Sequence, residues 1–224
     1  MKKAPIIKTK RLFLQPMSDE EIEKLITATE SNELRTAYGE MLSGCKADPA
    51  NRIWFAPWRM TLKDDNTYIG DLAFKGPARE NAVEIGYGIL PGYEGKGYTT
   101  EAVQAMTQWA FGNSGVVFVE AETTPDNKAS QRVLEKCGFT PDGEGKEGPR
   151  YVLESPLANW MSIYMLFGIS IGTALGSSFD SIGTGMCMGI CFGMCIGLAL
   201  DSATKKEREK LREKRKNRNE ENGK

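Results

Sequence analysis

Between Glu154 and Asp201 the chain has a single formally charged residue, Asp180, and this stretch constrains the fold more than any other part of the sequence. It divides into two apolar segments, residues 160–179 and 182–200. Each segment approaches the ~20 residues that an α-helix needs to cross a bilayer. The stretch therefore predicts two transmembrane-like helices joined by a tight turn around Asp180.

Glycine recurs at every fourth position in both apolar segments. The glycines are Gly168, Gly172 and Gly176 in the first segment, and Gly185, Gly189, Gly193 and Gly197 in the second. This spacing places them on one helix face, where the missing side chains let two helices approach closely in lipid. In a water-soluble helix each glycine would instead cost about 1 kcal/mol relative to alanine. The pattern favours a membrane-embedded glycine zipper that also offers a surface for homo-oligomers. Assembly of a soluble protein through the same glycines is the alternative.

Three cysteines form a second stripe in the same region, offset by two residues from the glycines. They are Cys187, Cys191 and Cys195. Because a free cysteine behaves as a small apolar side chain, we interpret this stripe as packing filler rather than as a metal or lipid-attachment site. The remaining cysteines, Cys45 and Cys137, complete no metal-binding spacing, and the set favours a reducing compartment.

A basic tail follows the apolar stretch, with nine Lys and Arg residues from Lys205 to Arg218. Positively charged segments beside a membrane span favour the cytoplasmic side, so we expect the tail there. A two-span hairpin returns the chain to its starting side, which places the N-terminal domain in the cytoplasm as well. Because the basic residues of the tail are mixed with glutamates, we expect the tail to form a solvated helix face or to contact anionic lipid rather than nucleic acid. The predicted domains are 1–156, the hairpin 159–201 and the tail 202–224.

The N-terminal domain alternates strand and helix signals in the order strand, helix, three strands, helix, strand, helix and two strands. Strands are expected at 11–14, 58–62, 68–74, 83–89, 115–121, around 139 and at 151–153; helices are expected at 19–29, through 103–110 and from 127 to 138. Ser18 and Glu21 form a capping box for the first helix. Residues 31–52 show no clear pattern. We interpret the aromatic cluster at 54–58 as core rather than as an aromatic substrate wall.

A glycine-rich turn, Gly95-Lys96-Gly97, joins a predicted strand to a predicted helix. Its glycines let backbone N–H groups approach a ligand closely, and the helix directs its positive dipole end into the turn. A phosphate group fits this arrangement, and a plain structural turn fits it equally well. A P-loop is excluded, because Leu90 and Gly97 stand where that motif needs glycine and Ser or Thr. A dinucleotide fingerprint is excluded because Thr100 replaces its third glycine.

Four motifs occur in a fixed order between about Ile7 and Glu154. They are Thr9-Lys10-Arg11-Leu12-Phe13-Leu14, Glu84-Ile85-Gly86-Tyr87, Gly95-Lys96-Gly97-Tyr98-Thr99-Thr100-Glu101-Ala102, and Asn127-Lys128-Ala129-Ser130 with Cys137-Gly138-Phe139. Together they resemble the GNAT superfamily of acyl-CoA-dependent N-acetyltransferases, in the branch that includes the acetyltransferases of ribosomal-protein N-termini. The resemblance implies an α+β (mixed α/β) fold with a central, mostly antiparallel, splayed sheet flanked by helices. The transmembrane-like hairpin is added at the C-terminus.

The resemblance also implies acetyl-CoA as co-substrate, with no metal. Pantetheine would lie in the gap between two splayed strands, and the loop amides from about Gly92 to Thr99 would hold the pyrophosphate. The implied contacts are Ile89, Leu90, Gly92, Gly95, Lys96, Gly97, Tyr98, Thr99, Asn127 and Ser130. Gly92 departs from many relatives, which carry Gln or Arg there.

The chain contains no histidine, so acid–base chemistry falls to carboxylates, hydroxyls or water. Glu84, on the strand beside the gap, is a candidate base acting through water; an outward strand carboxylate is the alternative. Many relatives use a tyrosine as proton donor where this chain has Leu134. The resemblance therefore implies Ser130 as donor to the leaving thiolate, with a hydrogen bond at the helix start as its alternative role. A backbone N–H near Leu90 would stabilise the oxyanion.

The predicted function is an acetyl-CoA-dependent N-acetyltransferase, tethered to the cytoplasmic face of the cell membrane. It transfers acetyl directly to a primary amine, either a small molecule or a protein N-terminus. The alternative, motivated by Leu134, is a catalytically weak acyl-CoA-binding module assembled through the glycine-zipper hairpin. The acceptor pocket is expected in segments 31–58 and 141–149, and the sequence does not identify the amine.

Overall fold

A computed structural model describes residues 5–113, 115–178 and 181–222. The chain separates into two compact units, one ending at Ser155 and the other spanning Pro156–Asn222. The predicted turn residue Asp180 lies outside the described residues.

The first unit contains the predicted strands and helices in the predicted order. Its elements are β1 (Ile7–Lys8), β2 (Leu12–Pro16), α1 (Asp19–Ala28), α2 (Asn32–Ala47), a 3-10 turn (Pro49–Asn51), α3 (Arg52–Phe55), β3 (Trp58–Leu62), β4 (Tyr68–Phe74), β5 (Ala82–Ile89), α4 (Tyr98–Phe111), β6 (Phe118–Glu122), α5 (Lys128–Lys136), β7 (Thr140–Glu144) and β8 (Pro149–Glu154). Of these elements, the sequence does not predict β1, α2, the 3-10 turn and α3. The capping box of Ser18 and Glu21 is present at the start of α1, as predicted.

The strands form one sheet in the order β1-β2-β3-β4-β5-β6-β8-β7. Among the described strands only β5 and β6 run parallel, and their paired residues end at Glu84 and Glu120. Beyond these residues β5 continues to Ile89 beside β4, whereas β6 continues to Glu122 beside β8. The two strands therefore splay apart, and the expectation of a splayed, mostly antiparallel sheet is confirmed.

Different helices cover the two faces of this sheet. α4 and α5 contribute to the core cluster that includes Trp58, which is fully buried. α1 and α2 pack in a second cluster that includes Phe55. Trp54 of α3 contacts Trp109 of α4, with ring centroids 4.9 Å apart. The aromatic residues at 54–58 thus belong to the core, as interpreted from the sequence.

The segment without a clear sequence pattern contains α2, which Ser31 caps through its side chain. Gly44 lies inside this helix because a Cβ there would come within 2.5 Å of the Phe55 ring. The glycine that obscured the helical pattern therefore serves tertiary packing, which overrides its low helix propensity.

The second unit is a hairpin of two helices, α6 (Trp160–Ser178) and α7 (Ile182–Asn222). Its glycines face each other across the helix pair. A Cβ built on Gly168 would lie 2.0 Å from the Gly189 carbonyl oxygen, and one on Gly172 would lie 2.2 Å from that of Gly185. The glycine zipper therefore closes within one chain. A homo-oligomer would have to use another face, so the predicted assembly through these glycines gains no support.

The open end of the hairpin is held by Asp201, whose carboxylate oxygens accept hydrogen bonds from the backbone N–H groups of Trp160 (2.9 Å) and Met161 (3.2 Å). α7 continues beyond Asp201 without a break, so the predicted boundary between hairpin and tail does not coincide with a helix end. By length and composition, both helices are able to cross a membrane.

The cysteine stripe of α7 does not lie between the helices. Cys187, Cys191 and Cys195 are exposed on the outside of the hairpin, beside large apolar side chains such as Phe192. The glycine face makes the helix–helix contact, so the interpretation of the cysteines as small apolar side chains stays a prediction for the outer face of α7.

Candidate active site

The edge of β5 that borders the gap offers free backbone groups. Glu84 and Leu90 are hydrogen-bonded towards β4. The Glu84 carbonyl accepts a hydrogen bond from Lys75 N–H (2.9 Å), and Leu90 N–H donates to the Ile69 carbonyl (2.8 Å). Because such positions alternate along an antiparallel pair, every second residue between them directs its N–H and C=O away from β4. Ile85 directly follows the last residue paired with β6, so the residues whose backbone groups border the open gap are Tyr87 and Ile89.

This register refines the predicted contacts of Leu90. Its N–H is bonded to Ile69, and its carbonyl accepts a hydrogen bond from Tyr93 N–H (3.2 Å). Both backbone groups of Leu90 are thus used within the protein. Tyr87 and Ile89 are better placed to bind a ligand or an oxyanion.

The glycine-rich loop after β5 takes up backbone conformations that favour glycine. φ is +88° at Gly92, +71° at Gly95 and +78° at Gly97. A Cβ on Gly92 or Gly95 would meet no atom of the described residues within 4 Å, so these glycines leave open space above the loop. α4 begins directly after Gly97 without a side-chain cap, so its first N–H groups lack the partner that a cap side chain would supply. The geometry suits an anion at the helix N-terminus.

A clamp of Thr9, Arg11 and Glu101 holds this loop from the side. One carboxylate oxygen of Glu101 accepts bonds from Thr9 Oγ1 (2.6 Å) and Arg11 N–H (2.7 Å), and the other accepts from Arg11 Nε (2.7 Å). Arg11 Nη1 also donates to the Lys96 carbonyl (3.0 Å). Partial burial acts to raise the pKa of Glu101, but the hydrogen bonds from Thr9 and Arg11 lower it below its usual value. The loop is therefore anchored by the first motif of the sequence.

Asn127 and Ser130 lie at the start of α5. Asn127 Oδ1 accepts a hydrogen bond from Ser130 N–H (3.0 Å), so Asn127 is the N-cap of this helix. Ser130 Oγ lies 2.9 Å from the Tyr87 hydroxyl, which comes from β5. Burial raises the pKa of Tyr87 to about 12, so its hydroxyl stays protonated at neutral pH. Leu134, at the position where relatives carry tyrosine, is fully buried in the core.

The sequence does not single out Tyr87 as a site residue, although it stands in the second motif. Strand alternation alone leaves open which partner its side chain meets. The partner depends on where α5 packs, and the structure brings the Tyr87 and Ser130 hydroxyls together on the α4/α5 face.

Glu84 lies at the closed end of the gap, beside its β6 partner Glu120. Its carboxylate is paired with Lys75 Nζ at 2.5 Å, and Lys75 also pairs with Glu147 at 3.1 Å. Burial raises the pKa of Glu84 above its usual value, although the hydrogen bond and charge of Lys75 lower it. The carboxylate is 28% exposed and projects from the face opposite Tyr87. An acid and a base would therefore flank the gap from opposite faces.

Each of the two units matches a known protein family. A family described as acetyltransferase (GNAT) domain matches residues 10–140, and one described as glycine zipper membrane protein matches residues 154–203. The uncharacterized N-acetyltransferase YoaA of Bacillus subtilis (strain 168) is 27% identical over 150 residues, which cover 62% of this chain and 85% of YoaA.

Two solved structures share the fold. The acetyl transfer enzyme from Salmonella typhimurium that modifies the N-terminal serine of ribosomal protein L7/L12 aligns with a TM-score of 0.54 at 17% identity, covering 68% of this chain and 100% of that one. RimJ of Mycobacterium smegmatis in complex with CoA-disulfide aligns with a TM-score of 0.53 at 17% identity, covering 67% and 87%. At these identities the similarity concerns the fold.

Proposed function

Because the chain belongs to the GNAT acetyltransferase family and is an N-acetyltransferase, we propose that it transfers acetyl from acetyl-CoA directly to a primary amine while its hairpin holds it at a membrane. The observation that carries this proposal is the splayed gap between β5 and β6. The gap has the open glycine loop at one end and the Ser130–Tyr87 pair beside it.

The residues of the gap fit acetyl-CoA. The gap-facing backbone of Tyr87 and Ile89 would pair with pantetheine as a further strand would. The loop from Gly92 to Thr99, with the N-terminus of α4, would hold the pyrophosphate through Lys96 and backbone N–H groups. Asn127 uses Oδ1 for its helix cap, which leaves its amide N–H groups for the ligand. The relative RimJ, solved with CoA-disulfide, supports the cofactor class.

Direct transfer to a primary ammonium requires one proton to leave the nitrogen before it attacks and a second to leave as the amide forms, while the departing sulfur gains one. Glu84 accepts the first proton through water, and the freed nitrogen attacks the thioester carbonyl carbon. The gap-facing N–H groups stabilise the oxyanion as the carbon–sulfur bond breaks. Ser130 gives its proton to the departing sulfur, and Tyr87, 2.9 Å away, restores it. The second proton, which the nitrogen loses as the amide forms, returns to Tyr87 through solvent, and the proton held by Glu84 is released to solvent.

A covalent acyl-enzyme is disfavoured by the nearest thiol. Burial raises the pKa of Cys137 to about 11, and its Sγ donates to the Thr100 carbonyl at 3.6 Å. Since the thiolate is the nucleophilic form, Cys137 stays unreactive at neutral pH. This supports direct attack by the amine.

The acceptor is proposed to be a protein N-terminus or a small primary amine, because the Salmonella typhimurium relative modifies an N-terminal serine. The membrane proposal rests on the apolar helices α6 and α7 and on the glycine zipper match at 154–203. The basic residues after Asp201 support a cytoplasmic tail and a cytoplasmic catalytic domain. A catalytically weak acyl-CoA-binding module is the competing function.

Replacing Ser130 by alanine tests the enzyme against the binding module. The full chain should pellet with membranes, and its detergent extract should release thiol from acetyl-CoA with phenethylamine or a peptide bearing a free N-terminal serine. We expect Ser130→Ala to lower kcat about 100-fold, since a general acid contributes this much, with a much smaller change in the Kd for CoA. Ser43→Ala, on α2, is the control.

Three outcomes would contradict these proposals. CoA binding without acetylation of any amine would favour the binding module. Full activity of Ser130→Ala would remove its role as proton donor. Recovery of the chain in the supernatant after membrane pelleting would refute the tether.

Replacing Glu84 by glutamine tests the base through the pH dependence. Because burial raises the pKa of Glu84, the deprotonated form that accepts a proton is lost as pH falls through a pKa above the usual carboxyl value. The acidic limb of the kcat/KM profile should lie above the usual carboxyl range in the wild type and disappear in Glu84→Gln. Glu147→Gln, which removes the other partner of Lys75, should keep the limb. A limb that persists in Glu84→Gln would assign the base elsewhere.

A further inference from the structure

Two glycines of β5 have no structural reason to be glycine. A Cβ on Gly86 or Gly88 would meet no atom of the described residues within 4 Å, and neither residue has a left-handed φ. Gly70 on β4 differs, because a Cβ there would come within 2.3 Å of the Gly88 carbonyl oxygen. Glycine inside a strand weakens it and marks a close approach by another group. The empty space above Gly86 and Gly88, here called the trough, therefore suits a ligand.

The trough lies on the α1/α2 face of the sheet. Gly86 and Gly88 alternate with Ile85 and Tyr87, which pack in the core with α4 and α5. A side chain built on either glycine would consequently point away from that core. Glu84, the proposed base, has the same orientation and stands two residues from Gly86.

A carboxylate borders the trough on β4. Asp71 is the direct cross-strand partner of Gly88, so both occupy the same face. Its Oδ2 accepts hydrogen bonds from the hydroxyls of Tyr38 (2.8 Å) and Tyr68 (2.5 Å). No described residue donates to its Oδ1. One oxygen is therefore held in place while the other remains available to a donor.

No cation of the described residues neutralises Asp71. Arg59, its partner on β3, donates instead to Glu21 and to Gln15. Burial raises the pKa of Tyr38 and of Tyr68, and the neighbouring Asp71 raises both further, so both hydroxyls stay neutral donors. Burial also raises the pKa of Asp71, against the two tyrosine hydrogen bonds. An incoming ammonium group would supply the missing positive charge.

We propose that the trough over Gly86 and Gly88 is the acceptor channel, and that Asp71, positioned by Tyr38 and Tyr68, binds the ammonium group of a cationic primary amine entering it. This inference rests on the proposed function, because it places the acetyl thioester in the gap on the other edge of β5. Adjacent strands lie about 4.8 Å apart, so the amine moves across a single strand from Asp71 to the gap. Its proton leaves towards Glu84 before the nitrogen attacks.

Two isomeric amines test the proposal on the full chain in detergent. Phenethylamine is a cation at neutral pH, whereas 4-ethylaniline has the same formula and is neutral. Asp71→Asn keeps an acceptor for the tyrosines but removes the charge. We expect it to raise the KM of phenethylamine about tenfold, as loss of one charge-assisted contact does, and to leave the KM or inhibition constant of 4-ethylaniline within about twofold. Asp64→Asn, in the exposed β3–β4 turn, is the control.

Gly88→Val provides a second variant in case Asp71→Asn does not fold. Valine suits a strand and fills the trough, so turnover of both amines should be lost while the Kd for CoA stays unchanged. Equal changes for both amines in Asp71→Asn, or none, would overturn the proposal. The proposal would also be overturned if phenethylamine neither reacts nor raises the Tm of the CoA-loaded wild type. Failure to bind CoA at all would instead refute the proposed function.

Discussion

Replacement of Gly97 by valine is expected to lower kcat/KM for acetyl-CoA by about 100-fold or more. A left-handed conformation costs an L-residue about 1–2 kcal/mol, and a β-branched one more. φ at Gly97 is +78°, so valine there would reshape the turn that leads into α4, whose first N–H groups are proposed to bind the pyrophosphate. The new side chain would also contact Arg11, because a Cβ on Gly97 would lie 3.6 Å from Arg11 Nη2. Thiol release at varied acetyl-CoA concentration measures the effect.

The matched control is Gly115→Val, because Gly115 has a similar φ of +91° and open space around its Cβ but lies at the far end of α4. It should lose comparable stability and keep its affinity for acetyl-CoA. A short donor, acetyl-N-acetylcysteamine, lacks the pyrophosphate, so Gly97→Val should use it about as well as the wild type does. Equal losses in both glycine variants, or with both donors, would show that the loop does not bind the pyrophosphate.

Replacement of Gly189 by leucine is expected to open the hairpin. A Cβ at this position would lie 2.0 Å from the Gly168 carbonyl oxygen, and backbone cannot move aside as a flexible side chain can. The helices must separate, which forfeits the close packing that holds them together in lipid. We expect a loss of about 3 kcal/mol, the upper part of the usual range for overpacking. Far-UV circular dichroism during SDS titration of the full chain in detergent micelles measures this loss.

Gly183→Leu is the control on the same helix, because its Cβ would meet no atom of the described residues within 4 Å. Equal stability of the two leucine variants would contradict the intramolecular zipper. In that case the glycines would be free to join separate chains, as the sequence alone suggested.

Local chemistry explains which elements the sequence predicts well. The hairpin strands β3 and β4 have the predicted bounds, because a polar turn and alternating side chains are properties of neighbouring residues. The sequence does not reveal α2, since Gly44, which weakens the helical pattern, is required by Phe55 from outside the helix. Pairing across the chain is not encoded in the local pattern.

The same distinction applies to the active site. The sequence alone determined the glycine-rich turn before α4 and the two apolar spans, because glycine spacing and unbroken apolar runs constrain the backbone locally. Only the tertiary structure decided that Leu90 turns its N–H to β4, that Tyr87 meets Ser130, and that Asp71 stands beside Gly88. These relations depend on strand register and helix placement. They also decide that the zipper glycines face one another within one chain, since spacing defines a helix face but not the partner that covers it.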